Sequence, residues 1–198
     1  MWSGTRWFSE FSLRMKHTGE TAKPELALRN RHRRSRLNSA LLRRIILTAL
    51  NEKPISINSR GRVSHELCVV FVDDAEMEQL NRRWLGHAGT TDVITFDHST
   101  GASAANARCP LRGDIVISLD EAKRQARRFH TNWQSEVVRY LVHGLLHLRG
   151  FDDCSTPERR VMKRAENRLL KRLCDRFDLR EIGRFQCARQ FTKHICDP

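Results

Sequence analysis

Tyr140-Leu-Val-His143-Gly-Leu-Leu-His147-Leu-Arg-Gly150-Phe-Asp152-Asp153-Cys154 is the stretch from which the rest of the chain can be read. Its apolar run predicts a helix. The four-residue spacing puts His143 and His147 on one face, one turn apart, where two imidazoles can grip one metal ion. At about 100° per residue, Val137, Val138, Leu141, Val142, Leu145, Leu146 and Leu148 fill roughly half of the helical wheel. Glu136, Tyr140, His143 and His147 occupy the remaining wedge, with Arg139 at its edge. A helix apolar on most sides is a core helix, and a narrow polar stripe along it needs a reason. Gly150 stops the helix three residues after His147, and the turn can swing Asp153 back as a third ligand. Cys154 is a soft donor next door and the alternative third ligand.

The array H-x3-H-x2-G-x2-D has the ligand spacing of the extended zinc-helix proteases, whose helix reads H-E-x-x-H-x-x-G-x-x-H or D. Gly144 stands where those enzymes carry the glutamate that deprotonates the water on zinc. The metal frame is present and the peptidase base is not, which speaks against a metalloprotease.

At 198 residues the chain suits one domain with tails, and its length allows a real core. No apolar stretch reaches the roughly 18 residues of a membrane span, and the N-terminus lacks a compact secretory signal. An Arg-rich transit peptide fits residues 1–36 less well because Glu10, Glu20 and Glu25 interrupt them. Six scattered cysteines without a C-x-x-C pair predict reduced thiols in a cytoplasmic protein. The net charge is +13. Residues 1–36 hold nine basic side chains against three acids, so the folded part is basic as well. That balance favours a polyanionic partner, RNA or DNA.

Three regions are expected: a basic, disordered arm over 1–36, a single domain over 37–177, and a frayed tail over 178–198. Asn38 caps a helix to about Asn51, with Leu41, Leu42, Ile45, Ile46, Ala49 and Leu50 buried. Ile55 to Val63 reads as a short extended piece. Glu66–Val72 is a β-prone run of the kind buried on both faces of a sheet. Asp73 and Asp74 cap a helix that carries Met77, Leu80 and Trp84 inward. Val93–Phe96 and Ile115–Ile117 are further strands, and residues 97–112 between them form a small-residue loop. Ser118 caps the next helix, and Thr131 and Asn132 open the histidine helix. Ser155 and Glu158 offer a capping box for a last helix with Val161, Met162, Ala165, Leu169 and Leu170 inward, ending near Cys174. The fold class is α/β, with α+β character: a small mixed sheet of about four strands packed with helices.

With these segments in place, the chain resembles the YbeY-type endoribonucleases, the rRNA maturation factors. Val70-Phe-Val-Asp73-Asp74, with the helix ending Gln79-Leu80-Asn81, carries the first block. Thr91-Asp92-Val-Ile-Thr-Phe96, followed by Gly113-Asp114-Ile-Val-Ile-Ser118, carries the second. The third is His143-Gly-Leu-Leu-His147-Leu-Arg-Gly150-Phe-Asp152, and Met162 and Glu166 fall where that family also keeps Met and Glu. The resemblance spans about residues 38–175. It implies one zinc on the histidine helix and a metal-dependent, single-strand-preferring ribonuclease used in ribosomal RNA maturation and ribosome quality control. The partners it implies are small-subunit ribosomal RNA, ribosomal proteins and an assembly GTPase.

This chain departs from the family pattern at three places. A third histidine is usual where Asp153 stands; a carboxylate lowers the Lewis acidity of the ion and brings iron or manganese into play. An arginine commonly follows the aromatic residue at Trp84, and here it is Leu85, so Arg82, Arg83 or Arg149 must supply the cation for substrate phosphate. Thr90 replaces a proline.

The chemistry expected is metal-assisted phosphodiester hydrolysis with His143, His147 and Asp153 as ligands and catalytic set. Asp152, Glu136 and Asp92 are candidates for a general base, and more readily for carboxylates that orient the histidines; Asp114 is a candidate for holding the loop over the site. The alternative is a non-catalytic RNA-binding ribosome-assembly factor whose metal only pins the helix to the following turn.

Overall fold

The computed structural model describes residues 25–53, 65–99 and 110–185. In chain order they form β1 (Glu25–Asn30), β2 (Ser35–Leu37), α1 (Ser39–Asn51), β3 (Glu66–Val72), α2 (Asp74–Leu85), β4 (Val93–Asp97), β5 (Arg112–Ser118), α3 (Leu119–Phe129), α4 (Trp133–Leu148) and α5 (Thr156–Arg176). A 3-10 turn over Leu179–Ile182 leads into β6 (Gly183–Phe185). The main sheet has the order β1-β3-β5-β4, parallel except for β4 at one edge, and β2 pairs antiparallel with β6. This is a mixed four-stranded α/β arrangement, the class expected from the sequence.

Apolar side chains alternate along β3 and β5 to both faces of the sheet. Leu67, Val69, Phe71, Ile115 and Ile117 join the principal core with α1, α4 and α5. Val70, Val72 and Val116 meet Met77 of α2 and Ile94 of β4 on the other face. The helix starts follow the sequence signals. Asn38, Asp73 and Ser118 each accept a backbone N–H of the first turn, and Ser155 and Glu158 close a full capping box. All six residues expected to be buried on α1 are buried.

Several expectations need correction. Residues 25–36, assigned above to a disordered arm, supply the edge strand β1 and most of the short β2. The tail assigned to 178–198 holds the 3-10 turn and β6. Val161 is 46% exposed rather than inward, because the buried side of α5 is Met162, Ala165, Glu166, Leu169, Leu170 and Leu173. Leu80 and Trp84 are only half-buried, whereas Asn81 is buried and donates its side-chain amide to the Gly89 carbonyl. The extended piece over Ile55–Val63 and most of the 97–112 loop lie outside the described residues.

Gly144 sets how closely α4 approaches the sheet. A Cβ there would stand 2.9 Å from Ile115 Cγ2 and 3.0 Å from Thr95 Oγ1. Any larger side chain would push the helix off β4 and β5.

Candidate metal centre

α4 is buried along Val137, Val138, Leu141, Val142, Leu145 and Leu146, which fixes its rotation. His143 and His147 therefore stand side by side at the edge of the core, with ring centroids 4.6 Å apart and planes at 82°. The helix ends in a Schellman turn: Gly150 takes φ +84°, its N–H bonds the His147 carbonyl, and the Phe151 N–H bonds the Leu146 carbonyl. That turn aims the Phe151 carbonyl at His147 Nδ1, 3.0 Å away. The Asp152 carboxylate then accepts the N–H groups of Asp153 (2.7 Å) and Cys154 (3.1 Å), and Arg159 Nε donates to the Asp153 carbonyl at 3.2 Å. The Asp153 carboxylate is left 3.9 Å from His143 Nε2.

Both imidazole orientations are fixed from behind. Carbonyls and carboxylates only accept hydrogen bonds, so His147 Nδ1 donates to Phe151 and His143 Nδ1 donates to Glu166 Oε2 at 3.3 Å. In the Nδ1–H tautomers that those two bonds select, two Nε2 lone pairs face each other across 3.0 Å. Two such acceptors repel unless a cation sits between them. Nitrogen donors about 2.0–2.1 Å from one tetrahedral ion lie roughly 3.3 Å apart, close to the separation found. Ligand atoms of His143, His147 and Asp153 all lie within 4.8 Å of one another, so the donor set fits a divalent ion. Asp152, Asp153 and Cys154 form a second such group, more exposed.

Glu166 is the carboxylate that the motif reading left without a role. It is 3% exposed and bonded to His143, Arg139 (2.9 Å) and Lys163 (2.6 Å). Burial alone would raise its pKa, but these three donors outweigh it and hold the group down to about 2. The sequence carries a local hint of its burial, an acid in the middle of an otherwise apolar stripe of α5, but not of its partner on α4. His147 is held below the ordinary histidine range by burial and then by His143.

The other candidates take different places. Glu136 accepts the Thr131 hydroxyl at 2.7 Å and pairs with Arg139, so it stands beside the helix start rather than at the rings. Asp92 accepts Thr91 and the Val93 N–H, and its carbonyl takes the Ser118 N–H, joining β4 to β5. Burial and then the charges of Asp92, Glu136 and Glu121 push the Tyr140 phenol well above its usual range. Asp114 holds His98 at 3.1 Å and raises its pKa by that bond. It alternates with Ile115, which faces Gly144, so its side chain leaves the opposite face of the sheet. Arg82 pairs with Glu78, and Arg83 lies over Trp84 on α2, across the sheet from α4. Arg149 follows α4 directly and stands close enough to His65 for its charge to lower that histidine's pKa, after burial.

A family model described as Endoribonuclease YbeY matches residues 27–174, three quarters of the chain and every residue of this site. The chain belongs to that family. Curated relatives carry the same description. The one from Parabacteroides distasonis is 34% identical over 132 residues, 64% of this chain and 88% of its own length. That from Pelotomaculum thermopropionicum is 42% identical over 129 residues, 65% of this chain and 84% of its own. The protein from Chlorobium phaeobacteroides is 35% identical over 117 residues, 59% and 80% of the two chains. As a YbeY-family member the chain is a nuclease, a hydrolase of phosphodiester bonds. Among the described residues no helix is long and apolar enough to cross a membrane.

Proposed function

We propose that this YbeY-family chain is a metal-dependent endoribonuclease that cuts single-stranded segments of small-subunit ribosomal RNA during maturation and quality control in the cytoplasm. The observation that carries the reading is the pair of facing Nε2 lone pairs, 3.0 Å apart with the Asp153 carboxylate alongside. His143, His147 and Asp153 would hold one ion, zinc in the first instance, as in catalytic sites with three protein ligands and an open position. When bound, the ion supplies Lewis acidity, lowering the pKa of a coordinated water and offsetting charge on the phosphoryl oxygens.

The chain's own groups do the rest. Glu166 and the Phe151 carbonyl keep both Nδ1 atoms protonated, so the Nε2 atoms stay free as ligands. The Asp152 side chain shapes the turn that presents Asp153. Lys163 and Arg139, both bonded to Glu166, place cations at the rim where a phosphate would arrive. They stand closer to the histidines in the bonding network than Arg82 or Arg83. Free thiols at Cys68, Cys154 and Cys174 accord with a reducing compartment. Ribosomal proteins or an assembly GTPase would deliver the RNA.

The test is cleavage of single-stranded RNA beside metal analysis of the purified protein. Cutting should stop with chelator, return with zinc, iron or manganese according to the native ion, and fall to background in His147→Ala. Cleavage that survives both treatments would refute the proposal.

A further inference from the structure

The side of α5 turned away from the core carries Arg160, Arg164, Arg168 and Lys171, all exposed. With Arg160 at zero on the wheel, Lys171, Arg164 and Arg168 fall within about 80°, opposite the buried Met162, Leu169 and Leu173. None of the four has a hydrogen bond or ion pair among the described residues. Neighbouring cations do have partners: Arg172 takes Glu52, and Lys163 takes Glu166. The stripe meets one acid, Asp175, at its far end. Like charges at i, i+4 destabilise a helix, so three arginines at that spacing work against α5 unless a polyanion lies on them.

The stripe also leads to the proposed site. Arg159 donates to the Asp153 carbonyl and Lys163 to Glu166, and each is the sequence neighbour of a stripe residue, Arg160 and Arg164, about 100° around α5. From Arg160 to Lys171 the stripe is about 16 Å long, the length of roughly five phosphates at ~3.4 Å per stacked nucleotide.

We infer that the outer face of α5 is a phosphate-docking rail for single-stranded RNA running off the histidine site. It grips the backbone without reading bases, and it rests on the reading of that site as the place where RNA is cut. The strand passes Lys163 and then follows Arg160, Arg164, Arg168 and Lys171.

The test compares the full-length protein with a variant carrying Arg160→Gln, Arg164→Gln, Arg168→Gln and Lys171→Gln. Binding is read by fluorescence anisotropy with a 12-nucleotide 2′-O-methyl RNA, and kinetics with 12-nucleotide and trinucleotide RNA substrates. The 12-nucleotide probe should bind at least about tenfold more weakly, with its log-log salt slope reduced by about 3, or ~0.7 for each lost contact. KM for the long substrate should rise with kcat unchanged, and trinucleotide cleavage should not alter. Replacement of the three arginines by lysine should retain binding, because a rail needs charge and not a fork. A control with Arg33→Gln, Arg34→Gln, Arg127→Gln and Arg128→Gln removes equal charge from exposed positions elsewhere and should bind nearly as wild type. An unaltered affinity and salt slope in the α5 variant overturns the rail. So does an equal loss in the control, or an equal loss for the trinucleotide. RNA that binds through the stripe but is never cut overturns the cleavage reading and leaves the rail standing.

Discussion

Burying a carboxylate ordinarily drives it toward the neutral form, and Glu166 goes the other way. Three donors converge on it, and one of them is His143 Nδ1. The charge on Glu166 therefore fixes a tautomer one bond network away, and with it the direction of a lone pair. Glu166→Gln keeps the shape but removes the charge, and its amide can turn a donor toward the ring. Metal affinity should fall about 10- to 100-fold, read by competition with a chromophoric chelator, with little change in secondary structure. Unaltered affinity would mean that His143 is oriented by other means. At this scale the sequence was partly informative. The two histidines and Asp153 follow from a spacing within one helix and one turn. The part played by Glu166 depends on α5 crossing behind α4, a long-range fact that no local pattern carries.

The α4 helix shows how one position can decide between chemistries. Replacing glycine by alanine inside a helix ordinarily stabilises it by about 1 kcal/mol. At Gly144 the new methyl would lie 2.9 Å from Ile115 Cγ2 and 3.0 Å from Thr95 Oγ1. Overpacking of that kind costs about 1–3 kcal/mol, so the balance falls on the destabilising side. Gly144→Ala should lower the urea midpoint despite its better propensity, and a rise would show that the sheet yields. The same contact explains why the peptidase glutamate has no place here. Helices were legible because their caps and 3.6-residue stripes are local. β1 was not, because Glu25–Asn30 gains its strand character from pairing with β3, far along the chain. Val161 misled for a related reason: α5 has two candidate apolar edges, and packing against α4 and α1 chooses the one without it.

Across the whole molecule, His65 joins three elements that are distant in sequence. It is buried at the entry to β3, accepts the Leu111 N–H before β5 at 3.0 Å, and feels Arg149 after α4. Burial first, and then Arg149, lower its pKa to about 4. The unfolded chain takes up this proton as pH falls below about 6.5, whereas the folded chain does not until about 4. Stability is therefore complete above pH 6.5 and declines as pH falls toward 4. Thermal melts of chelator-treated protein should show that decline, and His65→Gln should flatten it. A parallel decline in both proteins would assign the loss to other groups.

The pairing of β2 with β6 has a consequence for how the chain matures. Ser35–Leu37 and Gly183–Phe185 lie at opposite ends of the described sequence, yet they are hydrogen bonded, and the Asn38 N–H takes the Ile182 carbonyl at 2.7 Å. A nascent polypeptide emerging from its N-terminal side could assemble the parallel strands early, but this latch must wait until residue 185 has been synthesised. Contacts of such long sequence separation form late and slowly. Until the latch closes, the segment ahead of α1 is held by the β1–β3 pairing and by the links of Arg31 to Glu76 and His32 to Asp120, so the last tie on the first strand is made only when the final described residues have emerged.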